Sequence, residues 1–167
     1  MNLYILRHGI AVEQGTPGYE KDADRPLTPE GERKLLQIAE AMEALELSFD
    51  LILASPYLRA RQTAELVAEA LKAHKKLELT DSLSPGGSTK KLVEFLSRLQ
   101  PGPENILLVG HEPYLSGLVS LLVFGEATSA VVMKKGGLCK LSTDSLKPGR
   151  CAALEWLLTP KQMALMA

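Results

Sequence analysis

Cysteine is almost missing from these 167 residues; Cys139 and Cys151 are the only two. Two thiols cannot staple a small fold, so the chain must rely on an ordinary apolar core. Two reduced, strand-borne thiols are expected, with a single disulfide as the alternative. A surplus of either charge is missing as well. With 19 basic and 20 acidic residues the formal net charge is −1. No global positive field exists to hold nucleic acid or an anionic membrane, so any anion site must be local. No apolar run is long enough to span a bilayer. The opening MNLYILRHG lacks the basic lead and long apolar stretch of a secretory signal. These absences exclude nucleic acid and membrane as expected partners and make a cytoplasmic protein the default. Repeats, low-complexity tracts and long linkers are missing too. One domain over residues 1–167 is expected, monomeric by default.

What is there reads as alternating strands and helices. Residues 2–6 (NLYIL), 50–54 (DLILA) and 105–109 (NILLV) are short apolar runs suited to strands buried on both faces. Thr28–Pro29 opens a helix predicted to run to about Glu46, with Leu35, Ile38, Ala39, Met42 and Leu45 at helical spacing. Ser55–Pro56 reads as a second cap, opening a helix whose inner stripe is Ala60, Ala64, Val67, Ala68 and Leu71. Residues 77–79 suit a short strand. Ser88 caps a helix carrying Leu92, Phe95, Leu96 and Leu99, and Pro113 begins another through Leu122. The last third reads as strands at 129–134, 137–142 and 151–158 and a short helix from Thr159–Pro160. The expected fold is three-layer α/β: a mostly parallel central sheet, helices on both faces, and an antiparallel C-terminal edge.

Each of the three apolar strands ends in something polar: Arg7–His8–Gly9, then Ser55 to Arg59, then Gly110–His111–Glu112. Ligands in open α/β sheets bind beyond the carboxyl ends of strands. If these strands are neighbours, two arginines and two histidines converge. Guanidinium forks fit tetrahedral oxyanions, and a helix N-terminus beside Arg59 favours anions further. A neutral imidazole can attack phosphorus and carry the phosphoryl group. Nearby arginines keep His8 unprotonated and stabilise charge on the equatorial oxygens.

With these residues assembled, the chain resembles the histidine phosphatase superfamily, which includes the phosphoglycerate mutases. The resemblance rests on RHG at 7–9, LTPEG at 27–31, SPYLRARQTA at 55–64 and VGHEP at 109–113. The short chain, RPLT at 25–28 and GHEP at 110–113 look most like the SixA branch, whose members are phosphohistidine phosphatases acting on phosphotransfer domains or phosphocarrier proteins. The resemblance implies a phosphoglycerate mutase-like fold, with His8 as the phosphorylated nucleophile. Arg7, Arg59 and His111 would form the phosphate pocket, with no metal and no cofactor. Gly9 either permits a turn or offers its amide to phosphate; Ser55 caps its helix or touches phosphate.

Larger superfamily members carry a general acid after the segment matching residues 80–87. Here that stretch reads TDSLSPGG; Asp81 precedes the turn, and no acid follows within PGGST at 85–89. Glu13, Asp22 and Asp24 on the 13–24 loop are the candidates, with Asp22 or Asp24 preferred because Arg25 and the Thr28 cap would pin that end. General acid help is worth about 10²–10⁴-fold. An imidazole leaves phosphorus easily and an alkoxide does not, so protein phosphohistidine is the expected substrate class. No insertion after Arg59 covers the cleft, which also suits a phosphorylated protein. A small-molecule phosphomonoesterase or mutase and a phosphate-binding regulatory module are the alternatives. Arg61, Glu112 and His74 read as structural or solvated, Gly86–Gly87 as a turn, Trp156 as core, and Met163 as packing or fraying at the terminus.

Overall fold

The computed structural model describes residues 1–128 and 131–167. The three apolar runs are strands, and they are neighbours. β1 (Asn2–Arg7) and β2 (Leu51–Ala54) flank β4 (Asn105–Gly110), both parallel to it. β3 (Leu77–Leu79) extends the sheet beyond β2. β5 (Leu138–Ser142) and β6 (Ala153–Leu158) complete the antiparallel edge beyond β1, giving the order β3-β2-β4-β1-β5-β6. The run of strands reverses after β3, so β4 inserts between β2 and β1. That insertion makes the switch point at which α/β sheets bind ligands.

Helices cover both faces, as expected. α1 (Pro29–Ala44), α2 (Leu58–Ala70) and α5 (Pro160–Ala164) share a core with Tyr4, Leu6, Leu107 and Val109. α3 (Thr89–Ser97) and α4 (Tyr114–Phe124) pack on Leu3, Ile5, Ile106 and Leu108 on the other side. Alternate residues of β1 and β4 thus point to opposite faces and are buried on both, which is why these strands read as unbroken apolar runs. Among the described residues no helix is long and apolar enough to cross a membrane. Both cysteines are free. Trp156 is half-buried against the first core, and Met163 is buried rather than frayed.

The structure corrects several boundaries. α1 stops at Ala44, short of Glu46, because Glu46 adopts a left-handed φ of 54°. Ser55 does not cap α2. Its hydroxyl accepts from Tyr57 N–H, inside a turn, and Tyr57 is the cap position. The strand expected over 129–134 is not found: Val131–Lys134 are not strand, while residues 129 and 130 lie outside the described residues. β1 already pairs with β5, and Gly137 C=O continues that edge by accepting from Arg7 N–H at 3.1 Å. Residues 131–134 therefore have no free edge there. β6 starts at Ala153 because Cys151 and Ala152 donate their amides to Leu122 C=O instead.

The LTPEG segment has a steric job. Thr28 Oγ1 caps α1 by accepting from Gly31 N–H at 3.0 Å, and Thr28 N–H donates to Ile10 C=O at 2.9 Å. The start of α1 is thereby laid against the chain just past His8. A Cβ on Gly31 would sit 2.1 Å from the Ile10 carbonyl oxygen. Alanine's better helix propensity offsets at most about 1 kcal/mol, and the clash is with anchored backbone. Gly31→Ala is therefore expected to lose about 1–3 kcal/mol of stability, read by urea denaturation. Wild-type stability in this variant would show that α1 is not pinned to residue 10.

Candidate active site

The β1–β4–β2 pairing fixes where the polar residues emerge. Arg7 lies opposite Gly110, and Ala54 opposite Val109. His8 N–H then donates to Gly110 C=O at 3.0 Å, and Ser55 N–H to Val109 C=O at 3.0 Å. His8, Ser55 and His111 leave adjacent strands side by side. Arg59, the second residue of α2, reaches them from the start of its helix. Arg7, His8, Arg59 and His111 all line one cleft of about 520 Å³.

His8 is 6% exposed. Its Nδ1 lies 2.7 Å from Gly9 C=O. A carbonyl only accepts, so Nδ1 carries the hydrogen and Nε2 keeps its lone pair. Arg59 Nε–H points at that lone pair from 3.3 Å, a long and weak bond. Burial pushes the His8 pKa down to about 3, with His111, Arg59 and Arg7 adding to the effect against the Gly9 bond. The ring is neutral and nucleophilic at Nε2 near pH 7.

His111 lies 5.1 Å from His8, ring centre to ring centre. Its Nε2 is 2.8 Å from Ser55 Oγ. When that hydroxyl donates, the imidazole proton sits on Nδ1, an atom without a hydrogen-bond partner among the described residues. An anion in the cleft would select that tautomer. Burial first, then Arg59, moves the His111 pKa down to about 4.

The guanidiniums are held by carbonyls and one carboxylate. Arg7 Nη1 donates to Met133 C=O at 2.9 Å, and Arg7 Nε is buried with no partner among the described residues. Arg59, 4% exposed, donates from Nη1 to Asp22 C=O at 2.7 Å and from Nη2 to Asp22 Oδ2 at 3.1 Å. Burial lowers both guanidinium pKa values; Glu112 opposes this at Arg7 and Asp22 at Arg59.

The candidate acids separate. Asp22 and Glu13 line the cleft; Asp24 does not, and it is exposed. Asp22 Oδ1 accepts from Arg25 Nε at 2.9 Å and Nη2 at 2.5 Å, while Arg25 Nη1 holds Val12 C=O. Desolvation pushes the Asp22 carboxyl up, but the bonds and charges of Arg25 and Arg59 outweigh it and hold it below its ordinary value. Asp22 is thus kept ionised, which suits an arginine tether and not a proton donor.

Gly9 does not offer its amide to the cleft. That N–H donates to Thr63 Oγ1 at 3.1 Å, and a Cβ there would meet Leu35 Cδ1 at 2.6 Å. Glu112 accepts from Ser116 N–H and Oγ, and Arg61 pairs with Glu65 on the surface. Three contributors escaped the sequence reading. Thr63 is one helical turn from Arg59, and that spacing was the available signal. Tyr57 wedges between His111, ring centroids 5.3 Å apart, and the Arg59 guanidinium, 5.4 Å from its ring centroid. Lys135 joins the cleft beside the turn that Gly136–Gly137 marks, but that pattern locates the turn and not the cleft it faces. Among the described residues no group of three or more His, Cys, Asp or Glu is placed to share a metal ion.

Residues 3–84 match the Histidine phosphatase superfamily (branch 1). The chain is 38% identical to an uncharacterized protein of Picosynechococcus sp. over 88% of each chain. It is 31% identical to the phosphohistidine phosphatase SixA of Escherichia coli (strain K12), over 75% of this chain and 76% of that one. Among solved structures it resembles the protein histidine phosphatase SixA complexed with tungstate, with a TM-score of 0.83 and 26% identity, covering 96% of this chain and 98% of that one.

The buried neutral imidazoles couple stability to pH. An unfolded histidine takes its proton near pH 6.5, whereas His111 and His8 stay neutral down to about 4 and 3. The unfolded state therefore binds the extra protons. Stability is intact above pH 6.5 and falls below it, until each folded-state value is reached. Each imidazole contributes about 1.4 kcal/mol per pH unit inside its window. Urea midpoints should drop steeply from pH 6.5 to 4.5, and His8→Asn should roughly halve that slope. An unchanged slope in His8→Asn would mean that His8 titrates normally in the fold.

Proposed function

The chain belongs to the histidine phosphatase superfamily, and from that premise we propose that it is a metal-independent phosphatase acting on protein phosphohistidine through phospho-His8. One observation carries the reading: a neutral His8, its lone pair fixed on Nε2, faces a cleft lined by two guanidiniums and a second imidazole. Tungstate is a tetrahedral oxyanion, and its presence in the SixA structure supports a similar anion here.

Two displacements follow. The phosphoryl group enters the cleft and its oxygens take donors from Arg7, Arg59 and His111 Nδ1. The long Arg59–His8 bond opens as Arg59 turns to phosphate. His8 Nε2 attacks phosphorus, a new P–N bond forms, and the P–N bond to the substrate imidazole breaks. The substrate ring takes a proton from water on its other nitrogen as the P–N bond breaks, so it departs as neutral imidazole. Water then attacks phosphorus, phosphate leaves with the water's oxygen, and the lone pair returns to Nε2. No side chain needs to protonate the leaving group. That fits an Asp22 held ionised by two arginines, and it disfavours alkyl phosphates, whose alkoxides need an acid. In this reading Asp22 orients Arg59, Ser55 sets the His111 tautomer, and Gly9 supplies a carbonyl and room for Leu35.

Three variants test the assignment. His8→Ala should retain less than about one-thousandth of kcat/KM, and a phosphodonor should leave acid-labile label on the wild type alone. Arg59→Lys should lose about 10–100-fold despite keeping its charge, since the fork is gone. Asp22→Asn should cost under about tenfold in kcat on a phosphohistidine peptide; a loss of about 10²–10⁴-fold would make Asp22 the acid after all. The substrate class is read by ranking a phosphohistidine peptide against alkyl phosphates. Faster turnover of the alkyl esters would favour the small-molecule reading.

A further inference from the structure

Beyond Arg7, on the side away from Asp22, lies a second groove of about 760 Å³ that the chemistry above does not use. Its apolar lining comes from Ile10, Pro160 and Ala164. Four exposed lysines surround them: Lys34, Lys134, Lys135 and Lys161. Among the described residues no acidic one lines the groove. Lys34 pairs with Glu30 at 2.8 Å on the surface, while the other three lysines make no ion pair among the described residues. In a chain of net charge −1 this is a local concentration of cations around an apolar centre.

The groove is continuous with the catalytic cleft. Arg7 and Lys135 line both. Arg7 is fixed in the shared wall by its bond to Met133 C=O, and Lys134 and Lys135 follow directly on that residue. Inside the cleft the charges are mixed: Glu13, Asp22 and Glu112 line it together with Arg7, Arg25 and Arg59. A substrate that delivers a phosphoryl group to His8 would therefore meet cations without acidic neighbours in the lining only on the groove side, at Lys134, Lys135 and Lys161. A free phosphate or a small phosphoramidate is too small to reach across Lys135 into the groove; a folded phosphoprotein must cover the rim of the cleft.

Resting on the proposed protein-phosphohistidine substrate, we propose that this groove docks an acidic amphipathic segment of the phosphorylated protein, adjacent to its phosphohistidine. Acidic side chains of the partner would meet the lysine rim, and its apolar side chains would cover Ile10, Pro160 and Ala164. Rim charges of this kind act chiefly on encounter and orientation, and salt screens them.

The test compares two substrates on one pair of enzymes. Wild type and the double variant Lys34→Glu/Lys161→Glu, which touches neither the cleft nor its four pocket residues, are assayed on phosphoramidate. They are then assayed on a histidine-phosphorylated phosphotransfer domain bearing acidic residues beside its phosphohistidine. The expected result is equal phosphoramidate turnover, which also reports correct folding. On the phosphoprotein, kcat/KM should fall about tenfold, mostly through KM, and its wild-type decline with added salt should flatten. Lys34→Gln/Lys161→Gln should fall between the two. Equal kcat/KM on the phosphoprotein for all three enzymes would overturn the groove and leave the substrate class standing. A wild type active on phosphoramidate but inert on the phosphoprotein would overturn both. Wild-type dimerisation in sedimentation, abolished by the charge reversal, would assign the groove to a second copy of this chain and overturn the proposal.

Discussion

One hydrogen bond decides what this cleft can do: His8 Nδ1–H to the carbonyl of its own neighbour, Gly9, at 2.7 Å. If that carbonyl turned away, the proton could sit on either nitrogen and Nε2 would lose its fixed lone pair. The surrounding elements converge on keeping the carbonyl in place. Thr63, from α2, takes the Gly9 amide. Leu35 and Leu27 press on the space beside the Gly9 α-carbon: a Cβ there would come within 2.6 Å of Leu35 Cδ1 and 3.3 Å of Leu27 Cδ2, so Leu35 would have to move. Leu35 can press because α1 starts against Ile10, and it can start there because residue 31 is glycine. The sequence segments RHG, LTPEG and SPYLRARQTA are therefore parts of one clamp on a single peptide group. VGHEP supplies the strand that His8 N–H holds on to, through Gly110 C=O, and the second imidazole.

That account separates what was legible in the sequence from what was not. β1, β2 and β4 were readable because burial on both faces leaves unbroken apolar runs, and Thr28, Ser88 and Thr159 because each caps by a local bond to the third residue on. Ser55 misled for the same reason. Ser–Pro imitates a cap, yet its hydroxyl is engaged by Tyr57 N–H and by His111, a residue 56 positions away that local pattern cannot reveal. The apolar stretch at 131–134 has strand composition but finds the sheet edge already taken, and edge occupancy is a tertiary fact. Convergence of Arg7, His8, Arg59 and His111 followed from strand ends plus neighbouring strands. The roles of Asp22 and Gly9 did not, because both turn on which partner each polar atom finds.

The electrostatics show why two histidines and two arginines can share so small a space. Burial alone would push the imidazoles toward neutrality, and the guanidinium charges act in the same direction. The site therefore avoids four cations by leaving two of the rings uncharged. Arg59 is the crowded member. Three of its N–H groups are engaged, by His8 and twice by Asp22. A guanidinium has five such donors, so Arg59 can keep Asp22 and still offer a pair to an oxyanion. Asp22 is then compatible with a bound anion as an orienting counter-charge. Its own link to Arg25, and Arg25's to Val12, tie Asp22 to the two residues that bracket the 13–24 loop.

A cleft arranged this way selects substrates by what must leave. In the proposed reaction its donors would meet the transferring group and His8 would attack, while the carboxylate near Arg59 is held below its ordinary pKa by Arg25 and Arg59. Stabilising phosphoryl oxygens helps every phosphate monoester and phosphoramidate alike, so that interaction cannot discriminate among them. Discrimination falls to the leaving group's own basicity, and a ring that departs neutral needs no help. With the proposed protein substrate, recognition of which protein carries that ring would fall largely to surface outside the cleft, since a cleft of about 520 Å³ has room for little beyond the phosphorylated side chain.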